Sequence, residues 1–122
     1  MNARIHRTPE AEEFFFKEGC HILELWNDCA DREVSIARAR VPKGGLTRWH
    51  RLVGTTERYL ILEGEGSVQV GELPPAKVER GSVVVIPPGN RQRIRNTGQR
   101  DLVFLAVCSP RFRPEAYQDL ET

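Results

Sequence analysis

Among the side chains of types that bind ligands, hold metals or move protons, five stand out by position: Arg48, His50, Glu57, Tyr59 and Gln92. His50 and Glu57 stand seven positions apart in RWHRLVGTTERYLILEGEG, which reads as a β-hairpin. If both point inward, they meet across that hairpin. An imidazole and a carboxylate on one inward face could hold a divalent transition metal (Fe, Mn, Ni, Cu or Zn), with water filling the other positions. Gln92 could add an amide oxygen, a weak donor for most such metals. Without a metal the same pair is an acid–base dyad, in which the carboxylate orients the ring and raises its pKa. Tyr59 shares a face with Glu57 and is a candidate for catalysis and substrate binding. Arg48 shares a face with His50, and its fork suits a carboxylate or phosphate.

The elements that must place these groups are strands. HILELWN (21–27), REVSIARARV (32–41), ERYLILEG (57–64), GSVQVG (66–71), GSVVVIP (81–87), RQRIRN (91–96) and DLVFLAVC (101–108) are short and rich in Val, Ile and aromatic residues. Gly, Pro, Asn and Asp separate them, as in an all-β sandwich or barrel. Helix signals occur only at the ends, in TPEAEEFFF and RPEAYQDLE. In RQRIRNT, Arg91, Arg93 and Arg95 share one face, toward water or a partner, which turns Gln92, Ile94 and Asn96 inward. The strand faces do not decide where Cys108 points.

The 122 residues suit one domain, and a net charge of +1 implies no strong overall field for nucleic acid or membrane. The sequence has no apolar run near the length of a membrane span, and its N-terminus lacks a signal-peptide core, so a cytoplasmic protein is expected. Three widely spaced cysteines (Cys20, Cys29 and Cys108) do not form a disulfide framework or a zinc knuckle.

The spacing of glycines and polar residues resembles the cupin superfamily, small jelly-roll barrels. Gly45, His50, Glu57 and Gly64 follow its first motif, and Gly81, Pro87, Gly89, Gln92 and Asn96 follow its second. The resemblance implies a single domain over 1–122: a jelly-roll (double-stranded β-helix) barrel of two antiparallel sheets, with short terminal helices. The barrel core is expected at about 20–108, after an N-terminal arm (1–19) and before a closing segment (109–122).

A full cupin site holds its metal with two His and a Glu from the first motif and a His from the second. Here Leu52 and Gln92 stand at two of the three His positions. The implied metal set is therefore His50, Glu57 and Gln92, and Leu52 would leave open positions for a substrate binding through two oxygens. Cupins with metals resemble dioxygenases, decarboxylases, isomerases and lyases of small oxygenated acids or sugars. Two readings without metal stand beside this one: a small-ligand binding or sensing module, and an epimerase or isomerase with His50 as base. The resemblance also implies a homodimer, for which VSIARARV and EFFFKEG offer apolar edge surface.

Overall fold

Alternation of apolar and polar residues governs the architecture. In Leu102–Ser109, Leu102, Phe104, Ala106 and Cys108 are buried and the residues between them are not. Such a strand has one face for a core and one for solvent. The computed structural model describes residues 1–121, so the last residue of the expected closing segment, Thr122, lies outside the described residues.

Eleven strands follow in chain order: β1 (Phe14–Phe16), β2 (Cys20–Trp26), β3 (Ser35–Val41), β4 (His50–Leu52), β5 (Thr56–Glu63), β6 (Glu65–Val70), β7 (Ala76–Glu79), β8 (Val83–Ile86), β9 (Gln92–Asn96), β10 (Leu102–Ser109) and β11 (Tyr117–Asp119). They form a six-stranded sheet ordered β1-β2-β3-β10-β5-β8 and a five-stranded sheet ordered β11-β4-β9-β6-β7, with antiparallel pairing throughout. This is the jelly roll expected from the sequence. In place of the terminal helices stand single 3₁₀ turns at Glu10–Glu12 and Pro114–Ala116, each running directly into extended chain. No helix among the described residues is long and apolar enough to cross a membrane.

Two apolar clusters fill the sandwich. The larger includes Val41, Ile61, Ile86, Ile94, Leu102 and Phe104. Fully burying each aliphatic side chain of this kind contributes about 1.5–3 kcal/mol. The smaller is Leu52, Cys108 and Tyr117, backed by Phe16 and Phe112.

Gly64 makes the step from β5 in one sheet to β6 in the other. Its φ is +85°, and a Cβ there would lie 2.6 Å from the Asp101 carbonyl oxygen. Only glycine fits such a left-handed, close-packed position. Asn96, the last residue of the second motif, is a buried staple. Its amide nitrogen donates to the Val41 and Arg100 carbonyls at 2.8 Å each, and its amide oxygen accepts from Gly98 N–H.

The N-terminal arm lies along β3. Arg38 meets Glu10 and Glu13 at 2.6 and 3.1 Å, and Arg40 meets Glu13 at 2.6 Å. The segment expected to be an exposed edge, VSIARARV, is therefore internal: β3 sits between β2 and β10, and acids of the arm engage its arginines.

Candidate functional site

His50 and Glu57 are both buried, 2% and 8% exposed. They do not face each other across a hairpin. β4 belongs to the five-stranded sheet and β5 to the six-stranded sheet, so Val53–Thr55 carries the chain from one sheet to the other. The two residues approach from opposite walls of the barrel and line one cavity of about 60 Å³. That is room for a few water molecules or a small organic ligand.

His50 is held at both ring nitrogens. Nδ1–H donates to the Arg48 carbonyl at 2.6 Å, which turns Nε2 toward Glu18 Oε2 at 2.9 Å. The Tyr117 ring stacks on the imidazole, centroids 5.3 Å apart. Burial alone would lower the His50 pKa. The hydrogen bond and charge of Glu18, the Arg48 carbonyl and the charge of Glu57 outweigh it and raise the pKa above 6.5.

Glu57 shifts in the direction of its uncharged form. Burial, reinforced by the negative charge of Glu18 and opposed in part by His50, pushes its pKa up to about 7. The Cys108 thiol points inward and lies 3.7 Å from Glu57 Oε2. The other carboxyl oxygen, Oε1, is buried without a hydrogen-bond partner.

Gln92 and Tyr59 form their own buried pair, in which the Tyr59 hydroxyl donates to Gln92 Oε1. Burial and the nearby Glu57 charge keep that hydroxyl protonated. Tyr59 lines the cavity, packed against Phe104. Arg48 does not turn inward with His50. Its side chain is 38% exposed and meets Asp119 at 3.0 Å. β4 begins only at His50, so the alternation counted from Arg48 does not hold there, and Thr47 is buried instead. The structure thus brings His50, Glu57 and Tyr59 to one cavity, places Gln92 behind Tyr59, and leaves Arg48 at the surface.

Glu18 and Tyr117 carried no signal in the sequence. Glu18 sits in the tight turn between β1 and β2, where Gly19 has φ +103°. Gly19 N–H donates to Phe16 O at 2.9 Å, and Arg48 N–H donates to Glu18 O at 2.8 Å. The backbone of Arg48 therefore ties both the turn and the His50 ring, and it is the backbone rather than the side chain that serves the site. Tyr117 comes from β11, which pairs with β4.

The Cupin domain family matches residues 37–108, from within β3 to within β10. The chain belongs to the cupin family. An uncharacterized protein of Methanocaldococcus jannaschii is 32% identical over 110 residues, 88% of this cupin and 85% of that protein. The oxalate-binding protein of Thermotoga maritima is 40% identical over 72 residues, 58% of each chain. Among solved structures, a predicted oxalate decarboxylase from Thermotoga maritima superposes with a TM-score of 0.72 at 26% identity, covering 84% of this cupin and 97% of that chain. Pac13, a nucleoside dehydratase, superposes with a TM-score of 0.77 at 14% identity over 96% and 92%. That second likeness is one of fold.

The donor set of this cupin does not fit a resident divalent ion. Gln92 Oε1 already accepts the Tyr59 hydroxyl, and His50 Nε2 faces Glu18. Leu52 presents carbon, and Glu57 is divided between protonated and ionised forms at neutral pH. No three His, Cys, Asp or Glu side chains among the described residues are grouped to hold a metal. Imidazole and ionised carboxylate are the donors that bind such ions well, and here the imidazole is engaged with Glu18.

Proposed function

We propose that this cupin binds a small, uncharged, oxygen-bearing molecule in its barrel and moves a proton on it, without needing a metal. One observation carries the reading: His50 and Glu57, an imidazole whose pKa is raised and a carboxyl whose pKa is about 7, face one cavity from opposite walls. An acid and a base with pKa values near the working pH are what proton transfer requires. The hydrogen-bonded His50–Glu18 pair is the acid: both ring nitrogens are engaged, so the Nε2 proton reaches a substrate through the Glu18 carboxyl group, which also lines the cavity. Glu57 in its ionised form is the base, and its unpartnered Oε1 is the lone pair that receives a substrate proton. Tyr59 orients the substrate and Gln92 holds Tyr59. Isomerisation, epimerisation and loss of water from a hydroxy carbonyl compound or sugar all belong to this class.

Charge separates this reading from a small acid as ligand. The cavity is lined by Glu18, Glu24 and Glu57, and by no Lys or Arg. A dianion such as oxalate, which the Thermotoga maritima relative is named for binding, would meet one imidazolium and three carboxyl groups. A neutral polyol or hydroxy ketone meets no such repulsion.

The test is proton exchange. Small hydroxy ketones and aldoses are incubated with chelator-treated protein in D2O and followed by NMR. Deuterium should enter at the carbon beside the carbonyl, and His50→Ala and Glu57→Gln should abolish the exchange. Exchange or binding that occurs only after a divalent metal is added would sink the proposal.

A homodimer is proposed with it. β8 is a free edge of the six-stranded sheet, with Val83 and Val85 each 60% exposed and Leu60 paired opposite Val83. An apolar edge of this kind pairs readily with a second copy. Light scattering on Val85→Glu should report monomer where the native chain reports dimer.

A further inference from the structure

The outer face of the five-stranded sheet carries four arginines of which none is held mainly by an acid. Antiparallel pairing of His50 with Gln92 sets Arg51 beside Arg91 and Trp49 beside Arg93. Arg93 and Arg95 project on the same outer face from β9. Like charges side by side on a sheet are destabilising. The sequence nevertheless places them there, and the structure holds three of them in fixed poses.

Each of the three is anchored through Nε to a neutral acceptor. Arg51 Nε donates to Gln118 Oε1 at 2.7 Å, Arg93 Nε to Gln69 Oε1 at 2.7 Å, and Arg91 Nε to the Gly71 carbonyl at 3.2 Å. An Nε anchor leaves the terminal fork of the guanidinium directed outward. Glu121 accepts from the Trp49 backbone N–H, and Glu72 lies 3.9 Å from Arg91 and is itself 97% exposed. An exposed pair of that length contributes little. Arg91 and Arg93 also lie over the Trp49 ring, at 4.6 and 4.4 Å from its centroid. Trp49 thereby fixes two guanidinium planes. Arg95 extends into solvent at the far end of the row.

We infer that this face binds single-stranded nucleic acid. Oriented forks with free N–H groups match phosphate oxygens two at a time. Alternate residues on a strand are about 6.8 Å apart, so Arg91, Arg93 and Arg95 form an evenly spaced row for an extended backbone. Flat guanidinium planes, like aromatic rings, are surfaces on which unpaired bases stack. An acidic protein would use the forks but not the planes. The net charge of +1 does not register this face, because acids elsewhere offset it: Glu10 and Glu13 in the N-terminal arm and Glu18 and Glu57 inside the barrel, with Glu65 and Glu79 paired at the β6–β7 edge of the sheet. The cavity and this face lie on opposite sides of the five-stranded sheet, so the inference stands apart from the proposed proton chemistry.

Fluorescence anisotropy with labelled single strands about 12 nucleotides long tests it. Binding should weaken with salt, with a slope of log K against log salt of about −3 for four arginine–phosphate contacts. Arg93→Glu/Arg95→Glu should reduce affinity about tenfold or more while leaving the melting temperature and the proton exchange unchanged. Trp49→Ala should weaken single strands more than it weakens inorganic polyphosphate. No binding at low salt, or binding untouched by the charge reversal, overturns the inference. Equal affinity for polyglutamate and for the oligonucleotide also overturns it, in favour of an acidic protein partner.

Discussion

Nε2 of His50 lies 2.9 Å from a carboxyl oxygen of Glu18, a residue supplied by the turn that joins β1 to β2. The ring is buried and its other nitrogen is fixed by the Arg48 carbonyl. Its protonation therefore rests on a group outside both cupin motifs.

Glu18→Gln removes the charge and leaves the burial. The His50 pKa should then fall, read by NMR titration of the assigned ring protons. The alkaline limb of the proton-exchange profile, where the acid loses its proton, should move down with it. An unchanged titration would show that Glu18 does not hold the proton on the ring.

Stability should decline as pH rises from about 5 to about 8. Glu57 titrates near 7 in the fold against 4.5 when exposed, so the folded state binds the extra proton. Its contribution is full below pH 4.5 and is lost as pH rises through 7, a difference of about 3 kcal/mol. His50 acts in the same direction, since its folded pKa is raised: stability present below 6.5 is lost above it. The carboxylates with lowered pKa values, Glu10, Glu13 and Asp119, lose stability only in acid, below this window. Glu57→Gln should flatten the slope of melting temperature between pH 5 and 8. A wild-type curve that rises across that interval would contradict both shifts.

Tyr59 and Gln92 should behave as one unit. Tyr59→Phe leaves the Gln92 oxygen buried and unpaired, and Gln92→Leu does the same to the Tyr59 hydroxyl. Each should cost about 1–3 kcal/mol. The double variant should cost less than the sum of the two, because replacing both partners leaves nothing unsatisfied. Additive losses in urea titrations would mean that the pair is not coupled.

Metal content can be restored on purpose. Leu52→His/Gln92→His returns imidazoles to the two positions the motifs assign to them. Elemental analysis of that variant should find near-stoichiometric metal, and the native chain only traces. A native chain with stoichiometric metal that is lost in His50→Ala would overturn the mismatch of donors described above.

The barrel was legible because its strands alternate cleanly. The seven expected strands match β2, β3, β5, β6, β8, β9 and β10 to within a few residues at each end. The four that were not proposed as separate strands are three or four residues long. β1 is three consecutive phenylalanines, β7 is mostly exposed, and β11 lies in a stretch that reads as helix. Segments this short have no period of their own, and pairing with a neighbour makes them extended. Within the site, inward placement of His50, Glu57 and Tyr59 followed from motif spacing. Glu18 was not readable, because its role depends on which turn folds over the open end of the barrel. Neither was the outward position of Arg48, which depends on where β4 begins.

The two groups proposed to exchange protons stand on separate sheets, with Val53–Thr55 as the direct link between their strands. Neither sheet contains the pair by itself. Their separation is set by the packing of Leu52, Cys108 and Tyr117 between the two layers. A change that loosens this small cluster should widen the gap between acid and base while every strand keeps its register. The layers act like the jaws of a caliper, and reactivity would report how far the barrel is closed before any loss of secondary structure could be seen.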